Sequence, residues 1–291
     1  MLAIAMKCKL TLLTAVTMMF FAANSLLARL ALRAGEIDGG SFTAVRIFAG
    51  AMALALLVSV RSGGVATIRR SGSLPAAVGL FSYAILFSLA YVSLSAGTGA
   101  LILFAAVQIT MLGGVALRGA RPQRREWIGL ALAFGGLVYL VSPGLTAPSP
   151  VGVLLMAGAG AAWGYYSMAS KGRGSPIDAT AGNFARATPM AAAALIVAWG
   201  IGTVHASGLG LALAAISGCF TSGLGYVIWY TVLEDLPAAR AAIVQLTVPV
   251  IAAAAGVLFL GETLTWRLGV ASVVILGGVA WALSGRKSDR I

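Results

Sequence analysis

The sequence predicts an all-α integral membrane protein of ten transmembrane helices, built as two inverted five-helix repeats. Three observations point there: an apolar composition with little charge, ten apolar runs of spanning length, and a likeness between the two halves at one offset. Hydrophobic residues make up 60% of the 291 positions and charged residues 10%, with a mean hydropathy of +0.97. Soluble domains carry about 25% charged residues, so this composition cannot cover a water-facing surface. Backbone groups in lipid must find partners within their own segment, which makes the spans helical.

A spanning helix takes about 20 mainly apolar residues. The runs that qualify are 10–32, 41–60, 74–94, 98–117, 126–142, 150–170, 180–200, 209–231, 238–260 and 265–284. Their connections are short, and nothing remains for a soluble domain. Lys7 and Lys9 precede the first run and Ala22-Ala23-Asn24 has a cleavage-site composition, but the run is long for a signal peptide. The first run is therefore taken as a span.

Orientation follows from Lys and Arg. Numbering ends and connections alternately, one side collects Lys7, Lys9, Arg61, Arg69, Arg70, Arg118, Arg121, Arg124, Arg125, Lys171, Arg173, Arg286, Lys287 and Arg290. The other collects Arg29, Arg33 and Arg267. Basic connections stay on the cytoplasmic side, so both termini are expected there, which requires an even number of spans. The net charge of +12 is then a topology signal, and nucleic-acid binding is not expected.

The internal likeness divides the chain into 1–145 and 146–291. An offset of about 140 residues places Arg33 on Arg173, Ile37-Asp38 on Ile177-Asp178, Arg46 on Arg186 and Gly129 on Gly269. One residue more places Phe104 and Gln108 on Gln245 and Pro249. Five spans is an odd number, so the halves insert in opposite senses, as inverted-topology repeats do. Two such halves can exchange conformations and open a shared cavity to either side in turn.

Absences exclude several chemistries. No phosphate-binding G-x-x-x-x-G-K-[ST] loop is present. The one histidine, His205, falls in a connection, and Cys8 and Cys219 are isolated, so neither a metal site, a resident cofactor nor a catalytic residue is expected. All eight acids (Glu36, Asp38, Glu126, Asp178, Glu234, Asp235, Glu262, Asp289) fall in connections or at helix ends. Coupling through a buried carboxylate is disfavoured, and so is an enzyme.

Candidate binding residues sit at mid-depth. Thr17, Phe20, Phe21 and Asn24 share a face of the first helix, and Tyr83, Phe87 and Tyr91 form an i, i+4, i+8 stripe on the third. Phe104 and Gln108 stand four apart on the fourth. Trp163 and Tyr166 lie on the sixth, Tyr226 and Tyr230 on the eighth and Gln245 on the ninth. Taken singly, each is explained by helix packing, since aromatics fill bundle cores and amides hydrogen-bond across helices. Together they outline an uncharged aromatic cavity suited to a partly apolar, zwitterionic solute.

Arg46 and Arg186 are the strong charges placed inside helices. A structural role, snorkelling or bonding helix-end carbonyls, stands beside a role as gate or substrate anion site. Pro189 and Pro249 permit kinks. Gly160-Ala161-Ala162-Trp163-Gly164 is a small-residue packing face, and Trp127, Trp199, Trp266 and Trp281 read as interfacial aromatics.

Gln245-Leu246-Thr247-Val248-Pro249-Val250, followed by Phe259-Leu260-Gly261-Glu262-Thr263-Leu264 and by Gly269 and Gly277-Gly278, resembles the end of an EamA-type domain of the drug/metabolite transporter superfamily. Ala162-Trp163-Gly164 and the paired Arg46 and Arg186 are similar to the same domain, so the resemblance covers the chain as two tandem copies. The first copy departs from it: Gln108 stands in place of Pro, and Phe21-Ala22-Ala23-Asn24 replaces the Trp-Gly element. The resemblance implies ten helices, cytoplasmic termini in a bacterial inner membrane, and a cavity lined by helices one, three, four, six, eight and nine. It implies a monomeric exporter of small metabolites, with the neutral and aromatic amino-acid exporters of the YddG type most alike in length and cavity character. Multidrug efflux and exchange of anionic phosphometabolites are the transport alternatives. A non-transporting membrane partner or scaffold is the alternative of another class.

Overall fold

The structure is a computed structural model that describes residues 2–61, 64–117, 124–142, 144, 147–170, 175–236 and 244–284. Of the basic residues used to orient the chain, Arg118, Arg121, Lys171, Arg173, Arg286, Lys287 and Arg290 lie outside the described residues. The helices are α1 (Leu2–Arg33), α2 (Gly39–Arg61), α3 (Val65–Arg70), α4 (Leu74–Tyr91), α5 (Ala96–Leu117) and α6 (Arg124–Val141). They continue with α7 (Pro150–Ser170), α8 (Pro176–Gly200), α9 (Gly208–Ile216), α10 (Gly225–Asp235), α11 (Thr247–Leu260) and α12 (Trp266–Ser284). Between α9 and α10, residues Ser217–Leu224 form a π-helical segment that keeps the rod continuous. Among the described residues no strand occurs, apart from an isolated bridge between Ile37 and Ala206.

This pattern differs from ten plain spans in two places. The connection after α2 holds the short helix α3, whose six residues are too few to have stood out as an apolar run. The eighth expected span changes its hydrogen-bond register at Ser217. Among the described residues, four helices are long and apolar enough to cross a membrane: Cys8–Arg33, Gly39–Arg61, Leu74–Tyr91 and Gly208–Asp235. Shorter apolar helices include Ala96–Met111, Thr247–Leu260 and Trp266–Trp281.

Local chemistry explains the ends. Asp38 caps α2 by accepting the Ser41 N–H at 2.9 Å, and Ser73 caps α4 by accepting the Ala76 N–H at 3.3 Å, with proline in the first turn. Gly261 ends α11 in the left-handed region at φ 62°, which costs glycine little. Pro249 has no N–H for the Gln245 carbonyl, and the helix is interrupted at Leu246, one residue before α11 begins.

The largest packed faces pair α6 with α12, α4 with α7, α5 with α7 and α2 with α8. The π segment packs on α2, α11 packs on α5 and α1, and α1 also packs on the α9–α10 rod. These pairings survive exchange of α1, α2, α4, α5 and α6 for α7, α8, the α9–α10 rod, α11 and α12. Small residues allow the closest approaches. A Cβ on Gly160 would lie 2.5 Å from the Leu103 carbonyl oxygen of α5, and one on Gly218 would lie 2.2 Å from the Arg46 carbonyl oxygen of α2. The outer surface is apolar: Leu56, Leu154, Leu258, Phe259 and Val273 are exposed, as are Trp127, Trp199, Trp266 and Trp281.

Candidate functional site

Helices α1, α4, α5, α7 and α10 converge on a small central chamber. Its walls are Phe21, Asn24 and Ser25 from α1, Tyr83 and Phe87 from α4, Leu103 and Phe104 from α5, Trp163 from α7, and Tyr226 from α10. The free volume is about 10 Å³, room for about one water molecule. Trp163 stands at the centre. Its ring lies 4.6 Å from Tyr226, 4.9 Å from Tyr83, 5.4 Å from Tyr166 and 5.9 Å from Phe21. Tilted and edge-on geometries of this kind match ring edges to ring faces. The four-residue spacing on α4 stacks Tyr83 on Phe87 at 5.3 Å and Phe87 on Tyr91 at 4.7 Å.

One polar network threads this aromatic cluster. Asn24 donates from Nδ2 to the Tyr83 hydroxyl at 3.2 Å. Its Oδ1 accepts from the Ser217 hydroxyl at 2.7 Å and the Thr221 hydroxyl at 3.1 Å. Arg46 donates from Nε to Ser222 Oγ at 2.8 Å, and from Nη2 to the hydroxyls of Tyr83 at 3.2 Å and Tyr226 at 2.9 Å. Its guanidinium carbon lies 4.9 Å from the Phe87 ring centre and 5.2 Å from that of Tyr83, within cation–π range. Arg46 is 1% exposed. Snorkelling and helix-end bonding, the structural roles expected for it, do not describe its position, because the side chain turns inward to the hydroxyls at the bundle centre.

The π segment makes this network possible. Its i→i+5 bonding widens the turn, and from it Ser217 and Thr221 reach Asn24 while Ser222 reaches Arg46. Gly218 lets the segment pass the α2 backbone closely enough for the Ser222–Arg46 bond to form. The three hydroxyl residues were not candidates from the sequence. The visible signal is the run Ser217-Gly218-Cys219-Phe220-Thr221-Ser222-Gly223, the densest stretch of small polar residues inside an apolar span.

Other candidates lie around the chamber. Tyr91 sits beyond Phe87 and donates its hydroxyl to the Ala96 carbonyl at 3.3 Å. Tyr166 packs against Trp163 and Tyr230, with the latter 6.0 Å away. Gln108 and Gln245 are buried but are not among the chamber's lining residues, and the Gln108 Nε2 has no hydrogen-bond partner. Pro249 lies buried in the first turn of α11.

Polar ties cross each end of the bundle among the described residues. At the end carrying the α1–α2 and α11–α12 connections, Arg29 Nε meets Glu262 Oε1 at 3.1 Å. Arg29 also donates from Nη1 to the Tyr91 and Val92 carbonyls at 3.0 and 3.1 Å. Glu262 Oε2 accepts the Ala96 N–H at 2.9 Å. This cluster ties α1, α4, α5 and the start of the α11–α12 connection together. At the opposite end Arg186 donates to the carbonyls of Ser71, Gly182 and Arg69. Asn183 Oδ1 accepts the Ser73 N–H at 2.9 Å, which straps the α3–α4 connection onto α8. A second cavity of about 400 Å³ opens at this end, lined by Arg61, Asp178, Thr231 and Glu234 among others. Among the described residues no cluster of His, Cys, Asp and Glu could hold a metal ion.

The EamA-like transporter family matches residues 9–142 and again 150–284. The chain belongs to the EamA-like transporter family. A protein of Pseudomonas aeruginosa, "Uncharacterized protein PA1977", is 48% identical over 275 residues, covering 94% of each chain. A solved crystal structure superposes with a TM-score of 0.67 at 19% identity, covering 94% of this chain and 97% of that one. At that identity the likeness shows a shared fold. As a member of a family of transporters rather than enzymes, the chain is a multi-pass membrane protein that handles a small-molecule substrate among lipids.

Proposed function

We propose that this EamA-like protein is a monomeric secondary transporter that exports small metabolites, foremost neutral and aromatic amino acids, by alternating access. The observation that carries the reading is the Trp163 chamber: an aromatic box with an internal amide and hydroxyl network, tied towards one end by Arg29–Glu262 and towards the other by Arg186. A chamber with a polar tie towards each end of the bundle suits alternating access, in which the two ties break in turn. Two separate family matches, and helix pairings that survive exchange of the halves, support two inverted five-helix units, 1–145 and 146–291, hinged about that chamber. The basic residues support cytoplasmic termini in a bacterial inner membrane.

Asn24, Tyr83, Phe87, Phe104, Trp163 and Tyr226 are then the residues that touch cargo, with Tyr91, Gln108, Tyr166, Tyr230 and Gln245 behind them. Arg186 and Pro249 serve the end that opens in exchange. The test is counterflow of an amino-acid panel in vesicles holding the purified chain alone, with and without a pH gradient. Flux of at least one amino acid above empty vesicles is expected. None across the panel overturns the reading, and a stable copurifying subunit without flux would point to a scaffold instead.

Arg46 favours a second reading. Its guanidinium touches Tyr83, Phe87 and Tyr226, all chamber walls, so an anionic cargo such as an organic phosphate belongs in the same panel.

A further inference from the structure

Arg46 is the structural feature that helix packing explains least. An arginine keeps its proton at any physiological pH, and burying an uncompensated charge is costly. Yet no carboxylate lies among the residues that line the chamber or bond to Arg46. Its cation rests instead on three neutral hydroxyls and two ring faces. Nε and Nη2 are engaged, while Nη1 is buried with no hydrogen-bond partner. A core designed only for stability would place an apolar residue here, since a buried charge gives no net stabilisation over a well-packed apolar one.

We propose that Arg46 is the binding site for a carboxylate of the transported molecule, which supplies the countercharge the protein itself lacks. The unused N–H groups on Nη1 suit one carboxylate, and the charge-assisted bond is stronger than a neutral one. One guanidinium behind the walls Tyr83, Phe87 and Tyr226, with no cation among the lining residues themselves, fits a single negative charge better than the two of a phosphate monoester. The Tyr83, Tyr226 and Ser222 contacts hold the guanidinium still, so little order is lost when the anion arrives. Beside it, the faces of Trp163 and Phe21 take an apolar body. The substrate class is therefore a monocarboxylate with an apolar or aromatic side group, aromatic amino acids included. This inference rests on the transport reading above and sharpens the nature of its cargo.

The test uses matched ligands on the purified full chain, with affinity read from the change in tryptophan fluorescence. The pairs are L-phenylalanine with L-phenylalaninamide, and 3-phenylpropanoate with 3-phenylpropanamide, with phenyl phosphate as a further arm. Each acid is expected to bind at least about tenfold more tightly than its amide, the scale of one hydrogen bond to a charged group. Arg46→Gln abolishes that preference and Arg46→Lys keeps part of it. Tyr226→Phe removes one of the contacts that hold the same guanidinium still and is expected to weaken the preference, which keeps the test decisive if Arg46→Gln does not fold. Equal binding of acid and amide by the wild type, a preference retained in Arg46→Gln or unmoved by Tyr226→Phe, or phenyl phosphate binding tenfold tighter than 3-phenylpropanoate each overturns the proposal. Vesicle flux with no preference for acids removes the carboxylate site and leaves transport standing. Arg46-dependent acid binding without flux does the reverse.

Discussion

Gly218 and Arg46 meet backbone to backbone: a Cβ on Gly218 would lie 2.2 Å from the Arg46 carbonyl oxygen and 3.0 Å from its Cα. Neither atom is the far end of a flexible side chain, so α2 and the π segment must separate to admit a methyl group. Separation would draw Ser222 from Arg46, whose bond holds across this same contact. Gly218→Ala is expected to cost about 1–3 kcal/mol through overpacking and to depress flux more than its stability loss explains. Thermal unfolding in detergent and vesicle counterflow check both. A variant with wild-type melting and wild-type flux would remove the contact from the mechanism.

The Arg29–Glu262 pair predicts a gate at one end only. Its side chains are 11% and 8% exposed, so the pair sits where breaking one partner strands the other. Glu262→Gln keeps the shape and a hydrogen bond to the Ala96 N–H but removes the charge. The closed arrangement of that end then loses its ionic advantage, and opening becomes more frequent. With Cys8 and Cys219 replaced by serine, a cysteine introduced at Thr98, buried just inside this end, is expected to react with a maleimide roughly tenfold faster in Glu262→Gln. That figure corresponds to about 1.4 kcal/mol of shifted equilibrium. Unchanged labelling would mean that the pair is only a structural tie.

Sequence patterning reached the helices and one aromatic wall, and it stopped where contacts cross long separations. Tyr83, Phe87 and Tyr91 were legible because helical spacing alone stacks them. Arg46 was visible as a charge inside an apolar run, but its meaning depends on Ser222 and Tyr226, which are 176 and 180 residues away. Arg29 counted only as a basic residue near a helix end until Glu262, 233 residues further on, was brought beside it. The π segment was illegible for another reason. Hydropathy does not distinguish i→i+4 from i→i+5 bonding, so Ser217, Thr221 and Ser222 looked like ordinary small residues in a span. Gln108 and Gln245, read as lining from their polarity at mid-depth, are buried and are not among the residues that line the chamber.

Trp163 and Trp266 make a matched pair for testing the chamber. Trp163 is buried at its centre, while Trp266 is 82% exposed on the apolar exterior. Trp163→Ala removes a ring that touches Phe21, Tyr83, Tyr166 and Tyr226. The cavity left behind is expected to cost about 3–5 kcal/mol and to lower flux at least tenfold, with Trp163→Phe intermediate in both. Trp266→Ala is expected to leave both close to wild type. Equal loss of flux in the two alanine variants would refute the chamber as the path of the cargo.

Asp38 predicts an acid sensitivity at the α1–α2 turn, outside the spans. Its carboxylate accepts the Ser41 N–H at 2.9 Å through Oδ1 and the His205 N–H at 3.1 Å through Oδ2. Partial burial pushes its pKa up, but the hydrogen bonds from Ser41, His205 and Gly40 outweigh that, and the net pKa lies below the ordinary aspartate value. A carboxyl whose folded pKa is depressed stabilises fully above its unfolded value, about 3.9, and loses that contribution as pH falls through the folded value. The tie between the α1–α2 and α8–α9 connections is therefore expected to hold at neutral pH and to loosen below about pH 4. Glu36 is a second carboxylate in the same turn, accepting a hydrogen bond from Ser207, so the wild type alone cannot isolate Asp38. The difference between wild type and Asp38→Asn does: wild type is the more stable at neutral pH, and the gap narrows on acidification through that window. Melting temperatures of the two proteins from pH 7 to pH 3 check it, and a gap that stays constant or widens towards acid would refute the assignment.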